Sequence, residues 1–213
     1  MKTRFFALFL AICMLFSCAV ACADSDAVTS TSDDAAVESD EVTYDFKVFN
    51  WGDSVERVME VEGEQVVVTE GDATTEYTST LRYESTVVGL DTYLIYYFCD
   101  EGLYQVIYWI NESHSNESLY IDDYNKLKSA LTDKYGEPTY DLEHWDNDTH
   151  KKYYADNKGD ALCYGYLKYG SSWDTETTDI FLGMSADNYE VFTGLYYSSL
   201  TITPNEPDYS GDI

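Results

Sequence analysis

The sequence predicts an α+β fold, with helices packed on an antiparallel sheet. Three observations carry that prediction. Tyr, Val, Thr and Phe are abundant, 21 residues being Tyr, and such side chains favour the pleated, half-buried surface of a strand. Two stretches break the strand pattern with apolar residues at helical spacing. Short segments rich in Asp, Asn and Gly punctuate the remaining strand-like runs.

The chain opens Met1-Lys2-Thr3-Arg4, followed by twelve uncharged residues over 5–16. A run that short does not span a bilayer, which takes about 20 apolar residues. A basic start, a short apolar core and small residues afterwards form an export signal, expected over residues 1–17. Leu15-Phe16-Ser17-Cys18 resembles the lipobox of bacterial lipoproteins, although Phe16 is bulkier than that motif usually carries. Lipidation is expected at Cys18, where the apolar core ends. Ala21-Cys22-Ala23 also fits an ordinary cleavage before Asp24, which would release a soluble protein. Residues 24–42 hold seven acids, six Ser or Thr and no basic residue. Such a stretch buries too little apolar surface to offset its ordering entropy. With Cys18 it reads as a lipid-anchored, disordered acidic linker over 18–42.

The first expected helix lies within 51–63. Asp53 or Ser54 can cap its free amides, and Glu56 stands three residues after Asp53, as in a capping box. Val55, Val58 and Met59 share one face, and Gly63 is a natural stop. Strands are expected at 65–69, 78–88, 92–99 and 103–110, with Asp100-Glu101-Gly102 closing a hairpin. The second helix is expected over 120–135, where Tyr120, Tyr124, Leu127, Leu131 and Tyr135 form a stripe that Gly136 and Pro138 end. Strands then follow at 151–155, 161–169, 177–183 and 189–198, with turns at 157–160 and 185–188. Each half thus reads as a helix followed by an antiparallel meander, giving repeats at 43–116 and 117–200. The polar tail 201–213 is expected to be disordered.

At Phe49-Asn50-Trp51-Gly52-Asp53-Ser54-x-Glu56-x-Val58-x-x-x-Glu62-Gly63 the chain resembles exported lipoproteins of Gram-positive bacteria with a Trp-Gly-x-Ser helix motif. Lys134-Tyr135-Gly136-Glu137-Pro138 resembles the end of a later helix in those proteins. The helix-then-meander order is similar to the β-lactamase-inhibitor-protein fold and to the small lipoprotein of the outer-membrane assembly machinery. The resemblance, covering about residues 46–200, implies a non-enzymatic domain that binds other proteins.

Charge narrows the partners. Without Lys2 and Arg4 the 12 basic residues fall to 10, against 40 acidic ones, a formal charge of −30. A field of that sign repels nucleic acid and anionic headgroups and favours cationic partners. Membrane contact is then expected only through the lipid anchor. Cys99 and Cys163 are the cysteines of the folded part. In an exported protein they either pair or stand as two buried thiols.

Catalytic signatures are scarce. His144 and His150 lie near Asp146 and Asp148, but without the His-Glu-x-x-His spacing of a zinc helix, and no metal or cofactor is expected. Asp146-Asn147-Asp148 and Asp156-Asn157-x-Gly159-Asp160 lack the ordered ligands of an EF-hand. The chain has no Gly-x-Ser-x-Gly elbow and no phosphate-binding glycine loop. Its aromatic strands remain. Tyr96, Tyr104, Tyr108, Trp109, Tyr164, Tyr166 and Tyr196 are the candidate binding residues, because one set of alternating strand residues faces away from the core and Tyr and Trp are enriched at binding surfaces. The expected function is a surface-tethered, extracytoplasmic binding module contacting a protein or peptide through an aromatic sheet face. The alternative is an extracellular hydrolase or carbohydrate-active protein using acidic residues in a cleft.

Overall fold

Strands satisfy their backbone hydrogen bonds only through neighbours, and here the neighbours form a single sheet. The structure, a computed structural model, describes residues 44–64, 66–71 and 75–204. The expected export signal, Cys18, the acidic linker and residues 205–213 of the tail lie outside the described residues. Among the described residues, eight strands pair throughout antiparallel. They are β1 (Val67–Glu70), β2 (Ser79–Val87), β3 (Leu90–Cys99), β4 (Gly102–Ile110), β5 (Tyr140–Trp145), β6 (Leu167–Asp174), β7 (Thr178–Asp187) and β8 (Glu190–Ser199). Their order across the sheet is β1-β2-β3-β4-β8-β7-β6-β5. Four helices accompany them: α1 (Val55–Glu62), α2 (Ser118–Tyr135), α3 (Asp148–Tyr154) and α4 (Lys158–Cys163). The α+β class is therefore the one expected.

Both expected helices form. Ser54 caps α1, its Oγ accepting from the Arg57 amide at 3.3 Å, while the Asp53 carboxylate accepts from the Asn50 amide at 3.0 Å. The residue three after the cap is thus Arg57, so the expected capping box with Glu56 is not the one used. Gly63 ends α1 with its amide bonded to the Met59 carbonyl, and Gly136 ends α2 on Thr132 in the same way.

The second half departs from expectation. Residues 151–154 belong to helix α3, capped by Asn147, whose Oδ1 accepts from the His150 amide at 2.9 Å. The run 161–169 divides, its start ending α4 and its end opening β6. The expected turn at 157–160 starts α4, and β5 went unforeseen. Short apolar runs do not distinguish helix from strand by periodicity, and Asn serves equally as turn residue and helix cap. The last hairpin turns at Asn188 and Tyr189 rather than at 185–188, both with positive φ.

One face of the sheet carries the core. Leu81, Leu94, Tyr96, Leu103, Val106, Leu182 and Leu195 all lie within it, and α1 and α2 lay Val58, Tyr124, Leu127 and Leu131 against them. Helix α2 is also pinned by polar contacts. Tyr124 Oη lies 2.7 Å from Ser171 Oγ, Ser171 donates to Asp141 at 2.7 Å, and Lys128 on α2 donates to Asp141 at 2.5 Å. Trp173 Nε1 donates to the Gly136 carbonyl at 2.8 Å.

The Trp-Gly motif is a strap across the starts of β4 and β7. Trp51 Nε1 donates to Thr178 Oγ1 at 3.0 Å, and Asp45 accepts from the Trp51 amide and from Thr177 Oγ1. The Gly52 amide donates to the Leu103 carbonyl and the Leu103 amide to that of Asp53, both at 2.9 Å. Phe46 and Phe49 bury their rings beside Tyr96. Past β8, the Thr201 and Ile202 amides donate to Ser199 Oγ, so this start of the expected disordered tail is held by hydrogen bonds.

Candidate binding face

Strand periodicity sends every second side chain to the face opposite the core. In the register of the sheet, Arg82, Ile95, Ile107, Tyr196, Phe181 and Ser172 stand side by side across six strands. A parallel row holds Tyr93, Trp109, Gly194, Gly183, Gly170 and Leu142. Tyr93, Ile95, Trp109, Phe181, Phe192 and Tyr196 are only half-buried, while Ile107 lies beneath its neighbours at 1% exposure.

Two of the three glycines explain how the rings lie. A Cβ on Gly194 would come within 2.7 Å of the Tyr196 ring, and one on Gly170 within 3.3 Å of Phe181. With hydrogen in place of a side chain, Gly170 and Gly194 each let the neighbouring ring fold down over them. Phe181 and Tyr196 pair at 6.0 Å, Trp109 and Phe192 at 5.9 Å, and Arg82 sits over Tyr93 at 4.8 Å. The result is a pavement of aromatic rings on backbone, suited to apolar and cationic groups.

Acidic groups border the pavement. Asp174 and Asp179 are register partners on β6 and β7. Burial, with Asp174 beside it, pushes the Asp179 carboxyl up to about 6. Burial likewise pushes Tyr97, on the same face, up to about 12.

The candidate residues distribute unevenly. Trp109 and Tyr196 belong to the pavement. Tyr96 and Tyr108 belong to the core, at 0% and 8% exposure, and Tyr104 is buried at the β3–β4 bulge with 7%, so these three do not lie on an exposed surface. Tyr96 donates to the Glu62 carboxylate of α1. Tyr164 and Tyr166 fall between α4 and β6, in a separate cluster. Tyr93, Ile95, Phe181 and Phe192 were missed. The available signal was a glycine inside a strand with aromatics two positions away, as in Phe192-x-Gly194-x-Tyr196, since interior strand glycines mark close approach.

Cys99 and Cys163 are free and buried, so the structure holds two thiols and not a bridge. His150 pairs with Asp146 at 2.8 Å and stacks on Tyr166 at 3.7 Å, whereas His144 stands exposed on β5. Among the described residues no three His, Cys, Asp or Glu side chains are grouped to hold a metal. Among the same residues no helix is long and apolar enough to cross a membrane. Compared with family models, curated proteins and solved structures, the chain matches none.

Proposed function

We propose that the protein is an exported, lipid-anchored binding module that grips a protein or peptide partner on its aromatic sheet face. The observation that carries this reading is the pavement itself: half-buried rings, laid flat by a glycine row, on the face the core does not use. Large aromatic side chains that keep contact with solvent supply binding area at little entropic cost, and Tyr and Trp dominate binding hot spots. The formal charge of −30 without Lys2 and Arg4 favours a cationic partner. The strand order, in which β1–β4 and β5–β8 run inward from opposite edges, supports describing the fold as two helix-plus-meander repeats joined at β4 and β8.

The test is site-directed photocrosslinking on intact cells. A crosslinker at Tyr93, on the pavement, is expected to capture a discrete partner, and one at the exposed Asp133 of α2 is not. In the complex, Tyr196→Ala is expected to weaken binding by about 2 kcal/mol, the size of a hot-spot residue. Capture from Asp133 alone would refute the assignment of the face.

A second reading, hydrolysis between carboxyl groups, draws on Asp174 and the raised Asp179. It requires a turnover of glycan or peptide substrates that Asp179→Asn abolishes. Turnover that survives the substitution removes it.

A further inference from the structure

A second cluster stands apart from the sheet face. The segment after α4 and the β7–β8 turn bring Cys163, Tyr164, Tyr166, Asp187, Asn188 and Tyr189 around an open pocket of about 460 Å³. Tyr154, Tyr164 and Tyr166 pack as a trio with each pair of ring centroids 5.7 Å apart, and Tyr189 meets Tyr164 at 5.4 Å. His150, bonded to Asp146, stacks on one face of the Tyr166 ring. The cluster is no core, for Tyr164 is 41% exposed and Tyr189 68%.

Its backbone opposes local preference. Asn188 and Tyr189 sit at φ 52° and 68° in the two-residue turn between β7 and β8. Both central positions of such a turn need positive φ, and the second is where Gly fits without strain. This chain keeps an exposed aromatic ring there instead. Strain of that kind gathers where a side chain has to meet a ligand.

The lining chemistry selects the ligand. The residues around the pocket are three tyrosines, one aspartate, one asparagine and one cysteine, and none of them is basic. Ring faces carry negative quadrupole and Asp187 carries negative charge, so both attract an organic cation and repel an anion.

We propose that this pocket binds an alkylammonium group through the faces of Tyr164, Tyr166 and Tyr189 and the charge of Asp187. The site is independent of the pavement and stands or falls separately from it. Two sources share this chemistry: the quaternary headgroup of a choline-type compound, and the lysine side chain of a peptide.

The purified protein is titrated with choline, with Nα-acetyl-lysine methylamide and with 3,3-dimethylbutanol, the neutral isostere of choline, while the tyrosine ring resonances are followed by NMR. At least one of the two cations is expected to shift the Tyr164 and Tyr189 rings, with the alcohol binding at least about tenfold more weakly. A response to choline alone assigns the quaternary headgroup, and a response to the lysine derivative alone assigns the peptide. Tyr189→Gly is the informative variant, because glycine suits that φ and the hairpin keeps its turn. It is expected to weaken cation binding about 3- to 30-fold, the range of one exposed to one desolvated ring contact. Tyr189→Phe, which keeps the ring, is expected to bind as the unaltered protein does. Equal binding of the alcohol, silence towards both cations, or undiminished binding by Tyr189→Gly each overturns the proposal.

Discussion

Replacing Gly102 by alanine tests how the Trp-Gly strap is built. Gly102 opens β4 at φ 104°, and a Cβ there would lie 2.3 Å from the Gly52 carbonyl oxygen, 2.6 Å from its carbon and 2.9 Å from its Cα. All three atoms are backbone, and they cannot retreat freely. The Gly52 amide is bonded to the Leu103 carbonyl and the Leu103 amide to the Asp53 carbonyl, both at 2.9 Å. The left-handed backbone costs a non-glycine residue about 1–2 kcal/mol. Forcing a methyl group into a filled space adds about 1–3 kcal/mol. Stiffening of the unfolded chain offsets about 0.4–1 kcal/mol. The net expectation for Gly102→Ala is a loss of about 1–4.5 kcal/mol, or a fall in Tm of about 2–18 °C for a domain of this size. Gly136 is the control, with φ 84° but no atom within 4 Å of its added Cβ. It bears only the conformational cost, about 1–3 kcal/mol at φ 84° and ψ −169°, a region essentially confined to glycine, so Gly136→Ala is expected to lose less than Gly102→Ala, the difference being the overpacking of about 1–3 kcal/mol. Urea unfolding followed by tryptophan fluorescence measures both. If the two variants fall within about 0.5 kcal/mol of each other, inside the ordinary scatter of unexceptional substitutions, the close approach of Gly52 to Gly102 plays no part and the account of the strap is wrong.

Three further outcomes are expected. Ser171→Ala leaves the Tyr124 hydroxyl and the Asp141 carboxylate each short of a partner, and should cost about 1–3 kcal/mol. Adding Tyr124→Phe should cost less than the two single losses summed, and full additivity in a double-mutant cycle would deny the coupling. Asp179 behaves in reverse of most carboxylates, its folded value of about 6 standing above the ordinary 3.8. The folded state holds the extra proton between those values, so this group favours folding at low pH and that advantage is lost as pH rises through 6. Asp179→Asn should therefore be more stable than the unaltered protein at pH 7 and gain nothing at pH 4; an equal difference at both pH values contradicts it. Asp141 and Glu143, held below their usual values by Lys128 and Lys158 against the opposing effect of burial, act in the opposite sense at more acidic pH and are common to both proteins. Finally, Cys99 is buried and free, so a thiol reagent should not label it quickly in the folded protein but should in urea, and a native mass two hydrogens lighter would reveal a bridge to Cys163 instead.

Much of the architecture was legible in local chemistry. Ser54, Gly63 and Gly136 mark helix ends because a cap or a stop is a short-range event. The strands of the first half followed from their period and from the Gly102 hairpin, since alternation and turn residues act over a few positions. Residues 151–163 were misread because Tyr, Ala and Leu runs suit either conformation until Asn147 and Asn157 are placed as caps or as turns. That choice belongs to packing against α2 and β6.

By itself the sequence determined the α+β class, the two longest helices and the abundance of half-buried rings, all properties of neighbouring residues. Only the tertiary structure decided which rings the sheet shows. Tyr96 and Tyr108 went inward while Tyr93, Trp109 and Tyr196 stayed outward, because a strand's parity becomes a face only once partner strands fix its register. The same pairing aligned Gly170, Gly183 and Gly194, distant in sequence, into the row on which the pavement lies.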